Sequence, residues 1–316
     1  TAVETVTGTA AQVDALLLVE GSTGDKVNLD GDFAINVDLG TTTAAQLNSF
    51  NSATSSLVNA TSVAAISGSV SDLTTLVGNE GTSGDKVDLK ADVAITVSDT
   101  GSVAAADLTT INGVTANLVT ATNIATVTGT SSALNTLAGN EGSSGNAVDL
   151  KADVLVTVSD GTTTAAELNT INGMTTALVT ATAVSTVSGA VSDLTTLAGV
   201  EGDSGNAVDL AAGVAITVTD TGSVAATDIA TINGLTTGLV TATNIGTVTG
   251  TSSALNTLAG NEGTTGNAVD LKADVLVTVS DGTTTAAELN TINGMTTGLV
   301  TATAVSTVSG SASDLN

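Results

Sequence analysis

Residues 170–189, TINGMTTALVTATAVSTVSG, return at 291–310 as TINGMTTGLVTATAVSTVSG, with Gly298 in place of Ala177. A phrase repeated at a fixed distance imposes repeated geometry, because every copy meets the same local forces. Aligning the T-x-V/I openings puts unit starts at Thr1, Thr61, Thr122, Thr182, Thr243 and Thr303. Alternate units are therefore longer by one position. The extra position lies in SDTGSVAA (98–105) and TDTGSVAA (219–226), where sister units read SDGTTTAA. The units are 1–60, 61–121, 122–181, 182–242 and 243–302, with a sixth begun at 303–316. On this reading the chain is a window on a longer array, which would also account for an opening, TAVETV, with no secretory n-region.

Each unit divides into two similar halves, 154–183 and 124–153 being one pair. Both halves read strand, turn, short helix, loop, strand, which makes four strands and two helices per unit. Alternation places Val154, Val156 and Val158 on one face of a strand and Leu155, Thr157 and Ser159 on the other. Thr164-x-x-Glu167 is a capping box, Leu168 and Ile171 share a helix face, and Asn172-Gly173 predicts a left-handed stop. The same stop is expected at the Asn-Gly pairs beginning at 112, 233 and 293. SSALNTLAG (131–139) is a second helix, with Leu134 and Leu137 inward. SDGTTT before one helix and GNEGSSGN after the other read as loops. Helices of two turns do not persist alone, and no linker separates the halves. The fold expected is therefore an α/β repeat solenoid, rich in β, with coils of about 30 residues that bury their apolar faces on one another. A helix in every coil needs more lateral room than a strand and should curve the stack.

Composition narrows the function. The chain carries 31 acidic residues against 5 Lys and no Arg, a formal charge of -26. Nucleic acid and anionic membranes are excluded as partners, since both need basic groups, and no apolar run is long enough to span a bilayer. His, Cys, Trp, Tyr and Pro are absent, which removes the usual proton shuttles and activated nucleophiles. Ser–Lys chemistry at Lys86, Lys90, Lys151 or Lys272 is formally open, but these lysines belong to repeated phrases. The chain is read as no enzyme, with no required cofactor.

VDLKAD is the clearest polar pattern. In an extended strand Asp149, Lys151 and Asp153 would face one way and Val148, Leu150 and Ala152 the other. Asp88, Lys90 and Asp92 repeat the triplet, as do Asp270, Lys272 and Asp274. The plain reading is an exposed Lys between two Asp, of little energetic weight. The alternative is a Ca²⁺ edge built of carboxylates and carbonyls, with Asp25, Asp30 and Asp32, beside Asp38, as the richest stretch. The pairs Thr120/Thr122, Thr180/Thr182, Thr241/Thr243 and Thr301/Thr303 suggest T-x-T ladders that could order water, although Thr is also simply a good strand residue. Asn59-Ala60-Thr61 is a lone N-linked sequon.

SDGTTTAAELNTING and VTATAVSTVSGAVSDLTTLAG resemble the Thr/Ala/Val-rich tandem repeats of giant bacterial cell-surface proteins, especially the adhesin-like proteins of cyanobacteria and marine bacteria. The resemblance covers the whole chain and lies in repeat style. It implies an extracellular structural or adhesive role, with calcium nearby, and carries no catalytic residues. The expected function is a repeat segment of a fibrous surface or matrix protein that assembles with itself, end to end or side by side. Divalent cations or glycans are further candidate partners. The alternatives are the stalk of an adhesin whose binding module lies elsewhere, and ice or mineral binding through Thr or Asp rows.

Overall fold

The computed structural model describes residues 3–29 and 31–315. Parallel strands alternate with short helices in repeated units, and among the described residues no sheet closes into a barrel. The chain divides between Val156 and Thr157 into two compact bodies, and each is taken by itself. The first holds helices α1 (Ala10–Leu18), α2 (Ala44–Ala53), α3 (Val70–Asn79), α4 (Ala105–Asn112) and α5 (Ser131–Asn140). The second holds α6 (Ala165–Gly173), α7 (Val191–Ala198), α8 (Ala226–Asn233), α9 (Ser252–Asn261) and α10 (Ala286–Gly294). Within each body consecutive helices pack on one another.

The local grammar holds. Val154, Val156 and Val158 are buried while Leu155 is exposed. Thr164 caps α6, with the Glu167 side chain closing the capping box. Leu168 and Ile171 are fully buried, as are Leu134 and Leu137 on α5, each worth about 1.5–3 kcal/mol of burial. Phe33 and Phe50, the two aromatic residues, fill the positions that Val93 and Ile111 occupy one repeat later, and all four are buried.

Of the SDGTTT stretch, only 159–161 lie outside regular structure. Gly40–Thr43, Ser102–Ala104, Thr162–Thr164, Ser223–Ala225 and Thr283–Thr285 are strands, so a repeat holds one strand more than its sequence pattern suggests. Thr163 is buried where the sister repeat has Val103, and its hydroxyl is satisfied by donating to Glu167 Oε2 at 3.2 Å. Thr42 and Thr284 do the same with Gln46 and Glu288. Where Val103 and Val224 take the place, the N-caps of α4 and α8 are Ala104 and Ala225, and no side chain caps the helix. At these five helices the buried threonine and the capping box therefore come and go together.

These strands start sheets. In the first body one sheet runs Gly40–Thr43, Val63–Gly68, Ala94–Val97, Val119–Ala121, Val148–Leu150. Its registers, Thr41↔Ala65, Ala65↔Ala94, Ile95↔Val119 and Val119↔Val148, alternate a shorter and a longer step along the chain. The second body repeats this with Thr162↔Thr186, Thr186↔Ala215, Ile216↔Val240 and Val240↔Val269. Two steps carry Thr41 only as far as Ala94, whereas the equivalent of Thr41 in the next repeat is Ser102. The pairing therefore falls short of the repeat period, and four of the sheets end on a VDL strand. The ladder of backbone hydrogen bonds is divided into sheets and is not continuous.

Close packing sets one recurrent glycine. A Cβ on Gly68, Gly129, Gly189 or Gly250 would come within 2.9–3.3 Å of the Cβ of Ala44, Ala105, Ala165 or Ala226. The Gly that ends each TVSG-type strand and the Ala that opens the helix of the preceding coil are one contact.

The Asn-Gly pairs do not form left-handed stops. Gly113 and Gly234 are right-handed caps at φ -66° and -68°, and Gly173 is the last residue of α6. Asn112, Asn172 and Asn233 are buried, so the helix is held by packing and needs no reversal. Left-handed φ near +70° falls instead in the EGxxG loops, at Gly24, Gly84, Gly145, Gly205 and Gly266.

Candidate functional site

The polar groups form joints between successive half-units, and each joint recurs. The first is a carboxylate clip. Asp99 Oδ2 accepts from Val70 N at 2.7 Å, and Asp220 Oδ2 accepts from Val191 N at 2.7 Å. Asp281 accepts from both the amide and the hydroxyl of Ser252, and the Ser252 hydroxyl holds its carboxyl below the usual carboxylate range. In each case an acid at a strand end caps the first turn of a helix in the preceding coil, where helix-end amides attract negative charge.

The second joint is a hydroxyl staple after α2, α4, α8 and α10. Thr115 donates to Val93 O at 2.6 Å and accepts from Asn117 N at 3.0 Å. Thr54, Thr236 and Thr296 repeat it on Phe33, Val214 and Val275. The third joint is amide to helix: Asn48 and Asn169 donate through Nδ2 to Asp72 O and Asp193 O at 2.9 Å. Their Oδ1 atoms, with those of Asn51, Asn112, Asn172 and Asn233, are buried without a hydrogen-bond partner. Open grooves lie beside the staples. One of about 840 Å³ is lined by Glu80, Asp88, Thr115 and Asn146, and one of about 430 Å³ by Glu201, Asn233, Thr236 and Asn267.

VDLKAD does not keep all its acids on one strand face. The strands end at Leu89, Leu150 and Leu271. A turn follows, closed by Val93 N, Val154 N and Val275 N donating to the carbonyls of Lys90, Lys151 and Lys272. Ala152, expected inward, is exposed. Lys90, Lys151 and Lys272 pair with Asp92, Asp153 and Asp274 at 3.1, 3.0 and 3.0 Å, all well exposed, and the Lys151 ammonium lowers the pKa of Asp153. Asp88, Asp149 and Asp270 stand in mid-strand, opposite Asn59, Thr120 and Thr241. Asp25 and Asp32 lie exposed in the first body, and Asp30 falls outside the described residues. Among the described residues no three acidic side chains gather into a group that could hold a metal ion.

The T-x-T pairs are divided too. Thr120, Thr180 and Thr241 are in strands, whereas Thr122, Thr182 and Thr243 lie in the following turns. Registered hydroxyls instead run across the sheets as Thr43, Ser67, Thr96, Thr120, and as Thr164, Ser188, Thr217, Thr241, each row ending on an Asp. Sequence reasoning missed the clip acids and the staple threonines, because both act on partners in another coil. That offset is readable only once the register is known.

Fold and joints define a class: an α/β repeat protein of parallel strands and short helices, with polar joints between coils. No family model matches the chain, and comparison with curated proteins and with solved structures finds no similar protein. No described helix is long and apolar enough to cross a membrane.

Proposed function

We propose that the chain is a structural repeat segment of an extracellular fibrous or surface-layer protein, its repeats being coils of an α/β solenoid. The observation that supports this best is the constancy of the register. The same shorter and longer steps alternate in both bodies, and the same core and joints return with each repeat. A chain whose chemistry recurs with every repeat distributes its role along its length, as a spacer or tile does. The charge of -26 keeps copies apart at low ionic strength, and screening lets them approach.

Electron microscopy and analytical ultracentrifugation of the purified chain in 10 mM and 500 mM NaCl test the reading. Narrow particles of constant width, associating only in the higher salt, are expected. Compact monomers in both conditions would count against it.

A further inference from the structure

Each sheet that ends in VDL ends on a short strand that carries an acid at its centre. Val87–Leu89, Val148–Leu150, Val208–Leu210 and Val269–Leu271 each have a strand on one side only. Such an edge presents free amides and carbonyls that template pairing with another chain. Here the far side is taken by the chain's own EGxxG loop. Glu80, Glu141, Glu201 and Glu262 form parallel bridges with Val87, Val148, Val208 and Val269, and Glu20 does so with Val27. Gly81, Gly142, Gly202 and Gly263 donate their amides to those valine carbonyls at 3.1–3.2 Å, and Val208 N donates back to Val200 O at 2.9 Å. The loop can fold back because its second glycine takes positive φ, +71° at Gly84 and +73° at Gly145. Beyond the loop the strand is short, its middle position is Asp88, Asp149, Asp209 or Asp270, and a turn then leads the chain away.

We infer that the EGxxG loop and the acid of VDL form an autoinhibitory edge guard that prevents a second copy of this chain from adding its strands to the sheets. The loop occupies the first valine's pairing groups. The aspartate sets like charges against each other when two such edges meet, and like-charged neighbours across strands are unfavourable. This assigns the VDL acids a role in keeping copies apart. It rests on the reading of the chain as an associating array and specifies which contact that association avoids.

The test uses the full chain. One variant carries Gly81→Pro, Gly142→Pro and Gly263→Pro. These remove three guarding amides, and the preceding Glu80, Glu141 and Glu262 already hold ψ of 138°, 135° and 134°, the region proline requires. A second carries Asp88→Thr, Asp149→Thr and Asp270→Thr, which keeps the loop and extends the hydroxyl rows. Leu134→Ala serves as a control that destabilises the core without touching an edge. Each is followed in 500 mM NaCl by sedimentation, thioflavin T fluorescence and fibre diffraction. The guard predicts that at least one edge variant pellets at a tenfold lower concentration than wild type, binds the dye and gives a strand-spacing reflection, while Leu134→Ala does not. Equal behaviour of all four chains, or aggregation that follows stability alone, overturns it. Filament formation by wild type is read separately by microscopy, so its absence would weigh against the proposed function and leave the variant comparison intact.

Discussion

Replacing Thr115 by Val tests the hydroxyl staple at nearly constant volume. Thr115 is 4 % exposed. Its hydroxyl donates to Val93 O at 2.6 Å and accepts from Asn117 N at 3.0 Å, joining the end of α4 to the strand start of the adjacent coil. Valine removes both bonds and leaves a buried carbonyl without its partner. Two net hydrogen bonds at roughly 0.5–1.5 kcal/mol each come to about 1–3 kcal/mol, and the orphaned buried carbonyl puts the loss at the upper end of that range. Thr115→Ser keeps both bonds and loses one methyl, at a cost of about 1 kcal/mol. Thr110→Val alters an exposed hydroxyl that bonds only Ala106 O and should stay within about 0.5 kcal/mol. Urea unfolding followed by circular dichroism gives the ranking, and hydrogen exchange locates it. Protection should fall first at 116–118. A Thr115→Val chain no less stable than Thr115→Ser would refute the staple.

Two further perturbations bear on other joints. Three donors, the Thr285 amide and hydroxyl and the Thr284 hydroxyl, converge on Glu288 Oε2 and lower its pKa below the usual 4.5, the Thr285 amide most of all. A lowered folded pKa means this contribution is complete above about pH 4.5 and lost as pH falls through the folded value. Glu288→Gln, which copies Gln46 in α2, should therefore fall below wild type in melting temperature by an amount that shrinks from pH 6 to pH 3; a constant gap would contradict this. The glycines Gly139 and Gly145 should respond with opposite signs, as neither would bring a Cβ within 4 Å of other atoms. Gly139→Ala, inside α5, should stabilise by about 0.5–1 kcal/mol, whereas Gly145→Ala, at φ +73°, should cost about 1–2 kcal/mol; urea midpoints of the two chains settle the signs.

What the sequence disclosed and what it hid divide on physical lines. Valine alternation at 154–158 and the Thr164/Glu167 box act over short separations, so both were legible. The Thr162–Thr164 strand escaped notice because three hydroxyl side chains carry no apolar period. Thr163 is buried only because Glu167, one helical turn on, receives its hydroxyl. The Asn112-Gly113 pair carried a turn signal that the burial of Asn112 overrode. VDLKAD alternated correctly as far as Leu150, and the turn at Lys151 then ended the face on which Asp153, the second acid, was placed. Asp99 and Thr115 were hidden for a further reason: their partners, Val70 and Val93, lie one coil away, at offsets set by the register.

On the proposed solenoid reading no repeat is complete without its neighbours. Residues 61–121 taken alone would lose the pairings Thr42↔Ile66, Val58↔Val87 and Val119↔Val148, along with the packing of α2 on α3 and of α5 on α4. The decisive comparison is the urea unfolding curve and the amide NMR spectrum of that repeat expressed by itself, beside those of the whole chain. The single repeat should give a sloping curve with no transition and collapsed amide shifts, against a sharp transition for the chain. A cooperative transition and dispersed amides in the single repeat would show a self-contained domain and contradict the stacking of coils.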